Sequence, residues 1–360
     1  MCSIENNKTR TYLKTSAKRR VFVSLFLGLL LIIGCSQGGQ RKSERYRETR
    51  TMMGTTVNVD VCLDTRDKTA VGKAYQEVWD RLEDIAWRMN VFDERSDVAK
   101  INRAGTQPVG VQEDTYYVLQ KSIDYNRLTL GAFDITVWPL IQLWKRGARE
   151  NALPTTAQLQ EVRSVIGSDK IQLLSNGRVR LTNAGVKIDL GGIAAGYAVD
   201  EAVRIFRKNG INNFFIDISG DIYVGGRNCE GNLWRIGIRD PRDLSKIIDT
   251  VHLSDMAVAT SGNYEQYYEI QNERWSHIMN PITGYPQKDV VSATMIAPSA
   301  LETDAWSTAL CVLGPRSGIQ LVNAMPLAGE KYACLIITRN GANELVRFPS
   351  AGYEKFQGNP

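Results

Sequence analysis

The chain of 360 residues is 43% hydrophobic and 23% charged, with 44 Lys and Arg against 39 Asp and Glu and a formal charge of +5. Residues 1–34 hold six of the basic residues and one acid, so the remainder carries 38 of each sign and is neutral. A neutral remainder lacks the basic surface that nucleic-acid binding requires, and four later cysteines (Cys62, Cys229, Cys311 and Cys334) without CxxC spacing or neighbouring histidines argue against a zinc centre.

In chain order, Lys8, Arg10, Lys14, Lys18, Arg19 and Arg20 precede an apolar run over residues 21–33. The run is shorter than the roughly 20 residues of a membrane span and has the length of a signal-peptide core. Its ending, Ile32-Ile33-Gly34-Cys35, resembles a bacterial lipobox, in which Cys35 is acylated and becomes the first mature residue. The expected organisation is a lipoprotein leader over 1–34, a lipidated tether over 35–50, one large domain or two closely joined lobes over 51–350, and a tail over 351–360. The charged run 41–50 reads as a solvated spacer. The expected location is a membrane, held by the lipid, with the domain facing the periplasm or extracytoplasmic side.

Strand patterns follow over Thr55–Leu63, over Ile171–Leu174 and Arg178–Leu181 joined at Asn176-Gly177, and over 186–190, Phe214–Ile218, 234–238 and 334–338. Helical patterns cover 68–87, 115–129 and 196–208, the last closing at Gly210. Hairpins and strands interspersed with helices, without a βαβ rhythm, predict an α+β fold with a mixed or antiparallel sheet and flanking helices. Cys311 and Cys334 sit in apolar runs and read as core; whether any disulfide forms is open.

Glycine-marked polar segments interrupt these elements. The densest is DLGGIAAGYAVD over 189–200, a glycine-rich turn ahead of a helix. On spacing alone it is either a cradle for an anion or a tight packing turn. The others are Met53-Gly54-Thr55, Gly131-Ala132-Phe133-Asp134-Ile135-Thr136, Ala259-Thr260-Ser261-Gly262-Asn263-Tyr264, the segment from His277 through Asn280-Pro281-Ile282-Thr283-Gly284 to Pro286, and Thr303-Asp304-Ala305-Trp306-Ser307-Thr308-Ala309. In this order they resemble the ApbE family of FAD:protein FMN transferases, over nearly the whole expected domain.

The resemblance implies an ApbE-like fold and an enzyme that moves FMN from FAD onto a Thr or Ser hydroxyl of an acceptor flavoprotein, releasing AMP, with Mg²⁺ as cofactor. It implies an acceptor that is a subunit of a membrane redox complex. Asp304 and Thr308, one helical turn apart, are the implied metal ligands, joined by the backbone carbonyl of Gly192. Met53, Phe92, Ala132, Phe133, Asp134, Asp189, Ala195 and Ile278 match positions that contact FAD. Read in isolation, Asp304 is an N-cap above a buried Thr308, and Asp189 a cap of the glycine turn. His277 is the candidate general base, its alternative being a structural role in the turn that follows.

Three positions depart from the family pattern. Ala195 stands where Lys or Glu is usual, Phe92 where Tyr is frequent, and Ser219 opens a Ser-Gly-Asp in place of Gly-Gly-Asp, a conservative change. Ala195 brings no charge to a phosphate, so weaker nucleotide binding or a compensating group elsewhere is expected. Alternative activities with the same residues are an Mg²⁺-dependent FAD pyrophosphatase, with water in place of the acceptor, and a non-catalytic FAD-binding lipoprotein.

Overall fold

The computed structural model describes residues 43–63 and 68–358. Cys35 and the leader lie outside the described residues. No described helix is long and apolar enough to cross a membrane.

The frame is one antiparallel sheet of eight strands: β1 (Glu44–Met52), β2 (Thr55–Leu63), β3 (Phe214–Ile218), β4 (Asp221–Gly225), β5 (Met256–Gly262), β6 (Val290–Ala297), β7 (Ala333–Arg339) and β8 (Leu345–Pro349). Their order across the sheet is their order in the chain. Seven helices are described: α1 (Lys68–Arg88), α2 (Asp97–Ala104), α3 (Glu113–Leu128), α4 (Trp138–Glu150), α5 (Thr156–Ser164), α6 (Ala194–Lys208) and α7 (Ala300–Asn323). The fold is therefore α+β with an antiparallel core, as expected, and the described residues belong to one folded unit rather than two lobes.

The strand pattern accounts for three layers. Every residue of β6 is buried, as a central strand covered on both faces must be. On one face Ala293 and Met295 join α1, α6 and α7 in the main core. On the other, Val258, Ile296, Leu335 and Ile337 pack against a long ribbon, Trp234–Asp240 paired with Asp243–Leu253, through Trp234, Ile236 and Val251. A disulfide joins Cys62 on β2 to Cys229 in the loop beyond β4, while Cys311 and Cys334 are buried free thiols. Residues 351–358, set apart as a tail by sequence, pack on the ribbon: Tyr353 is buried, and Gln357 bridges to Val251.

Two expected elements are different in the structure. Residues 44–50, read as tether, are β1, in register with β2 from Glu44 opposite Leu63 to Met52 opposite Thr55. Their charges have partners: Arg47 donates from Nε and Nη2 to the two oxygens of the buried Asp60, and Glu48 accepts from Trp79 Nε1 at 2.6 Å. An edge strand with one solvated side carries just such charges, which also discourage edge-to-edge pairing. Residues 186–190 join no ladder. Asn102 on α2 takes the place of a neighbouring strand, accepting from Ile188 N–H at 2.8 Å and donating to Ile188 O at 2.9 Å.

Tight turns close β1–β2 and β3–β4 at the same end of the sheet. Both residues of each turn are left-handed: Met53 and Gly54 at φ 55° and 73°, Ser219 and Gly220 at φ 58° and 97°. Serine at 219 is thus conservative in chemistry but not in conformation, since a Cβ disfavours this region.

Helices α6 and α7 cross almost in contact. A Cβ on Gly196 would lie 2.3 Å from Ala300 O and 2.7 Å from Leu301 Cα. One turn further along α6, Asp200 caps α7, accepting from Ser299 Oγ (2.6 Å), Ala300 N–H (2.7 Å) and Leu301 N–H (3.1 Å). Gly196→Ala should force the helices apart and cost about 1–3 kcal/mol, seen as a lower urea midpoint. Ser219→Gly should add about 0.5–1 kcal/mol by relieving the left-handed residue, seen as a higher midpoint with an unchanged slope.

Candidate active site

The end of the sheet marked by the two tight turns forms the floor of a cavity of about 630 Å³. Antiparallel register brings Ser261 at the end of β5 to the same place. All twelve sequence-predicted site residues within the described chain line this cavity: Met53, Phe92, Ala132, Phe133, Asp134, Asp189, Gly192, Ala195, His277, Ile278, Asp304 and Thr308. They come from six separate stretches of chain, so the fold is what assembles them.

The Asp304 face is built by the helix crossing. Gly196 N–H donates to Asp304 Oδ2 at 3.0 Å, a bond that the absent side chain at 196 permits. Asp304 is therefore not the N-cap of α7; that role belongs to Ser299, whose Oγ accepts from Glu302 N–H. Thr308 follows one turn later, and its hydroxyl lies 3.4 Å from Ser261 Oγ, which also bonds Ser307 Oγ at 2.8 Å. At Gly192 neither φ nor crowding by backbone demands glycine. A Cβ there would point into the cavity, 3.5 Å from both Thr308 Oγ1 and the Phe133 ring. Glycine keeps that wall open.

The glycine turn itself is held at both ends. Asp189 N–H donates to Ile135 O at 2.8 Å, and the Asp189 carboxylate accepts from Gly191 N–H at 3.2 Å. Desolvation raises the Asp189 pKa, opposed by that N–H and by the positive charge of Lys145. The adjoining GAFDIT loop turns at Leu130 and Gly131, both left-handed. Asp134 lines the cavity, but both its oxygens hold the loop: Oδ1 takes Thr136 N–H (2.7 Å) and Thr136 Oγ1 (2.6 Å), and Oδ2 takes Asn126 Nδ2 and Ser168 N–H. Phe133 is buried beside it, whereas Phe92 is 72% exposed and meets Trp138 edge-on at 5.4 Å.

His277 Nδ1 faces Gln266 O at 2.9 Å. A carbonyl only accepts, so Nδ1 carries the proton and Nε2 keeps its lone pair. Burial lowers the imidazole pKa, with the Gln266 bond opposing, which keeps the ring neutral near pH 7.

Two carboxylates were missed as site residues. Asp221 follows the β3–β4 turn and was noted only as part of a variant motif; Glu265 follows β5 and belongs to no motif. Burial, then the charges of Asp304 and Glu265, pushes Asp221 far up; burial and Glu265 push Asp304 up, against the Gly196 N–H. Desolvation takes Glu265 to about 7, opposed by Arg239. Such mutual repulsion is what a bound cation would relieve. Among the described residues no group of three or more His, Cys, Asp or Glu is placed to hold a metal. The donors that share the cavity lining are the Asp304 carboxylate, the Thr308 hydroxyl and the open backbone at Gly192, an all-oxygen set that fits a hard divalent ion.

Known proteins resemble this chain over most of its length. Residues 53–331 match the ApbE family. A FAD:protein FMN transferase of Vibrio cholerae is 32% identical over 302 residues, 82% of this chain and 88% of its own length. One from Haemophilus influenzae is 33% identical, over 80% of this chain and 86% of its own. Among solved structures, flavin transferase ApbE from Vibrio cholerae aligns with a TM-score of 0.78 at 28% identity, over 87% of this chain and 99% of that one. The ApbE protein of Thermotoga maritima aligns at 0.77 and 33% identity, over 88% and 100%. The chain belongs to the ApbE family.

Proposed function

We propose that the protein transfers FMN from FAD to a Thr or Ser hydroxyl of an acceptor protein, with release of AMP. The observation that carries this reading is that Asp304, Thr308 and the side-chain-free Gly192 line the same cavity, one large enough for a dinucleotide, with Gly192 beside Thr308. The names of the relatives support the same substrate and product.

The reaction joins the acceptor oxygen to the FMN phosphorus and breaks the pyrophosphate P–O bond to AMP. His277 Nε2 is the base that takes the hydroxyl proton, held in the right tautomer by Gln266 O. Phe133, Ile278 and Met53 offer the apolar surface that a flat ring system needs. Asp304, Thr308 and the Gly192 carbonyl are the groups that would hold Mg²⁺. When bound, the ion supplies positive charge against the pyrophosphate and the developing charge of the transferred phosphoryl group. Gly196 N–H fixes the orientation of Asp304, and Ser261 that of Thr308.

Acylation of Cys35 would hold the enzyme at a membrane surface, within reach of an acceptor in a membrane redox complex. The acceptor is then presented to the cavity from the extracytoplasmic side.

Mass spectrometry of an acceptor domain incubated with the protein, FAD and Mg²⁺ tests the proposal. The expected result is a mass gain of one FMN that requires both. Free FMN and AMP with unmodified acceptor would replace the transferase with a pyrophosphatase, and intact bound FAD would replace it with a carrier. Asp304→Asn keeps the shape and should lower transfer by about 10²-fold or more with little change in melting temperature. Because burial lowers the His277 pKa from its ordinary value, transfer should fall as acid protonates the ring, on a limb displaced to lower pH than a free imidazole would give. His277→Gln should lower the rate and remove that acid limb.

A further inference from the structure

Five carboxylates line the cavity, Asp134, Asp189, Asp221, Glu265 and Asp304, against one Lys or Arg side chain among the described residues, Lys145. A diphosphate entering this space meets carboxyl groups, and no positive charge, on most of its lining. Lys145 is the exception, and its setting holds it there.

Lys145 lies on α4 with Trp138 and Ile141, at spacings of three and four residues, and the three form the cavity-facing stripe of that helix. The opposite side of α4 is anchored: Leu143 and Trp144 are buried, and Trp144 Nε1 donates to Gly284 O at 3.0 Å. The Lys145 ammonium sits 5.4 Å from the ring centroids of both Phe92 and Trp138. This is cation–π range, and it fixes the charge without neutralising it. With the described residues Lys145 makes no hydrogen bond or ion pair that would compete with a ligand; its charge reaches Asp189 only through space. Ala195, which lines the same cavity, presents only a methyl group.

We propose that Lys145 is the fixed side-chain cation that binds the diphosphate of the dinucleotide, with Phe92 and Trp138 as the aromatic rest that positions it. The inference rests on the flavin reading above and adds a specificity-determining residue to it. Riboflavin, which has no phosphate, is indifferent to this residue, whereas ADP, which has a diphosphate and no flavin, is sensitive to it.

The test is equilibrium binding of FAD, ADP and riboflavin to the full chain and to Lys145→Met and Lys145→Arg, with and without Mg²⁺. Lys145→Met should weaken FAD and ADP by about 10-fold or more and leave riboflavin unchanged. Lys145→Arg, which keeps the charge, should recover FAD to within a few-fold. The salt dependence of FAD binding should be shallower in Lys145→Met. Unchanged FAD affinity in Lys145→Met overturns the assignment. So does an equal loss for riboflavin, which would make Lys145 a support of the aromatic wall. A wild-type chain that binds no FAD overturns the flavin reading itself, an outcome distinct from either.

Discussion

The contact between α6 and α7 at Gly196 governs the geometry of everything around it. Helices normally pack 8–10 Å apart because side chains separate them; here the backbone of one touches the backbone of the other. Three results follow from one missing side chain. Asp200 reaches the first turn of α7 and fixes its axial position. Gly196 N–H reaches the Asp304 carboxylate. The turn that precedes α6 is carried against the Thr308 side of α7, so that Gly192 looks across at the hydroxyl. The glycine-rich segment is both things its spacing allowed: a packing turn at Gly196 and an open wall at Gly192.

Around that contact the cavity is electrostatically one-sided, and its carboxylates divide by task. Asp134 is fully engaged in shaping the GAFDIT loop. Asp189 keeps the glycine turn in place. Asp221, Asp304 and Glu265 repel one another, a state that favours proton uptake or a metal ion. A substrate with a pyrophosphate needs this field reversed at its own position. A divalent ion on the Asp304 wall and the Lys145 ammonium on the α4 wall are two charges able to do so.

Much of the site was legible in the sequence because its parts are local motifs. The i and i+4 pair Asp304 and Thr308, the glycine turn and the GAFDIT loop each declare themselves over a few residues. What escaped notice depends on distant partners. Residues 186–190 have a strand's composition, but their hydrogen bonds go to the Asn102 side chain. Residues 44–50 look like a tether because the groups that match their charges, Asp60 and Trp79, come later in the chain. Lys145 stands in no motif and acquires meaning only when α4 turns it toward Phe92. Cys62 and Cys229 are 167 residues apart, and spacing alone could not pair them.

The order of the sheet has a consequence for how the chain reaches this state. Successive strands are neighbours, yet between β2 and β3 the chain inserts α1 to α6. The β1–β2 hairpin and the β4–β8 region close short or moderate loops, whereas docking β2 on β3 closes the longest and carries the largest entropy cost. A chain emerging from its N-terminus therefore presents β2 long before Phe214 arrives to cover it. During that interval the apolar residues Val57, Val59 and Val61 lie on a hairpin with an unpaired edge. The charged residues of β1 shield the opposite side of that hairpin, so the folding intermediate is guarded on one edge and vulnerable on the other.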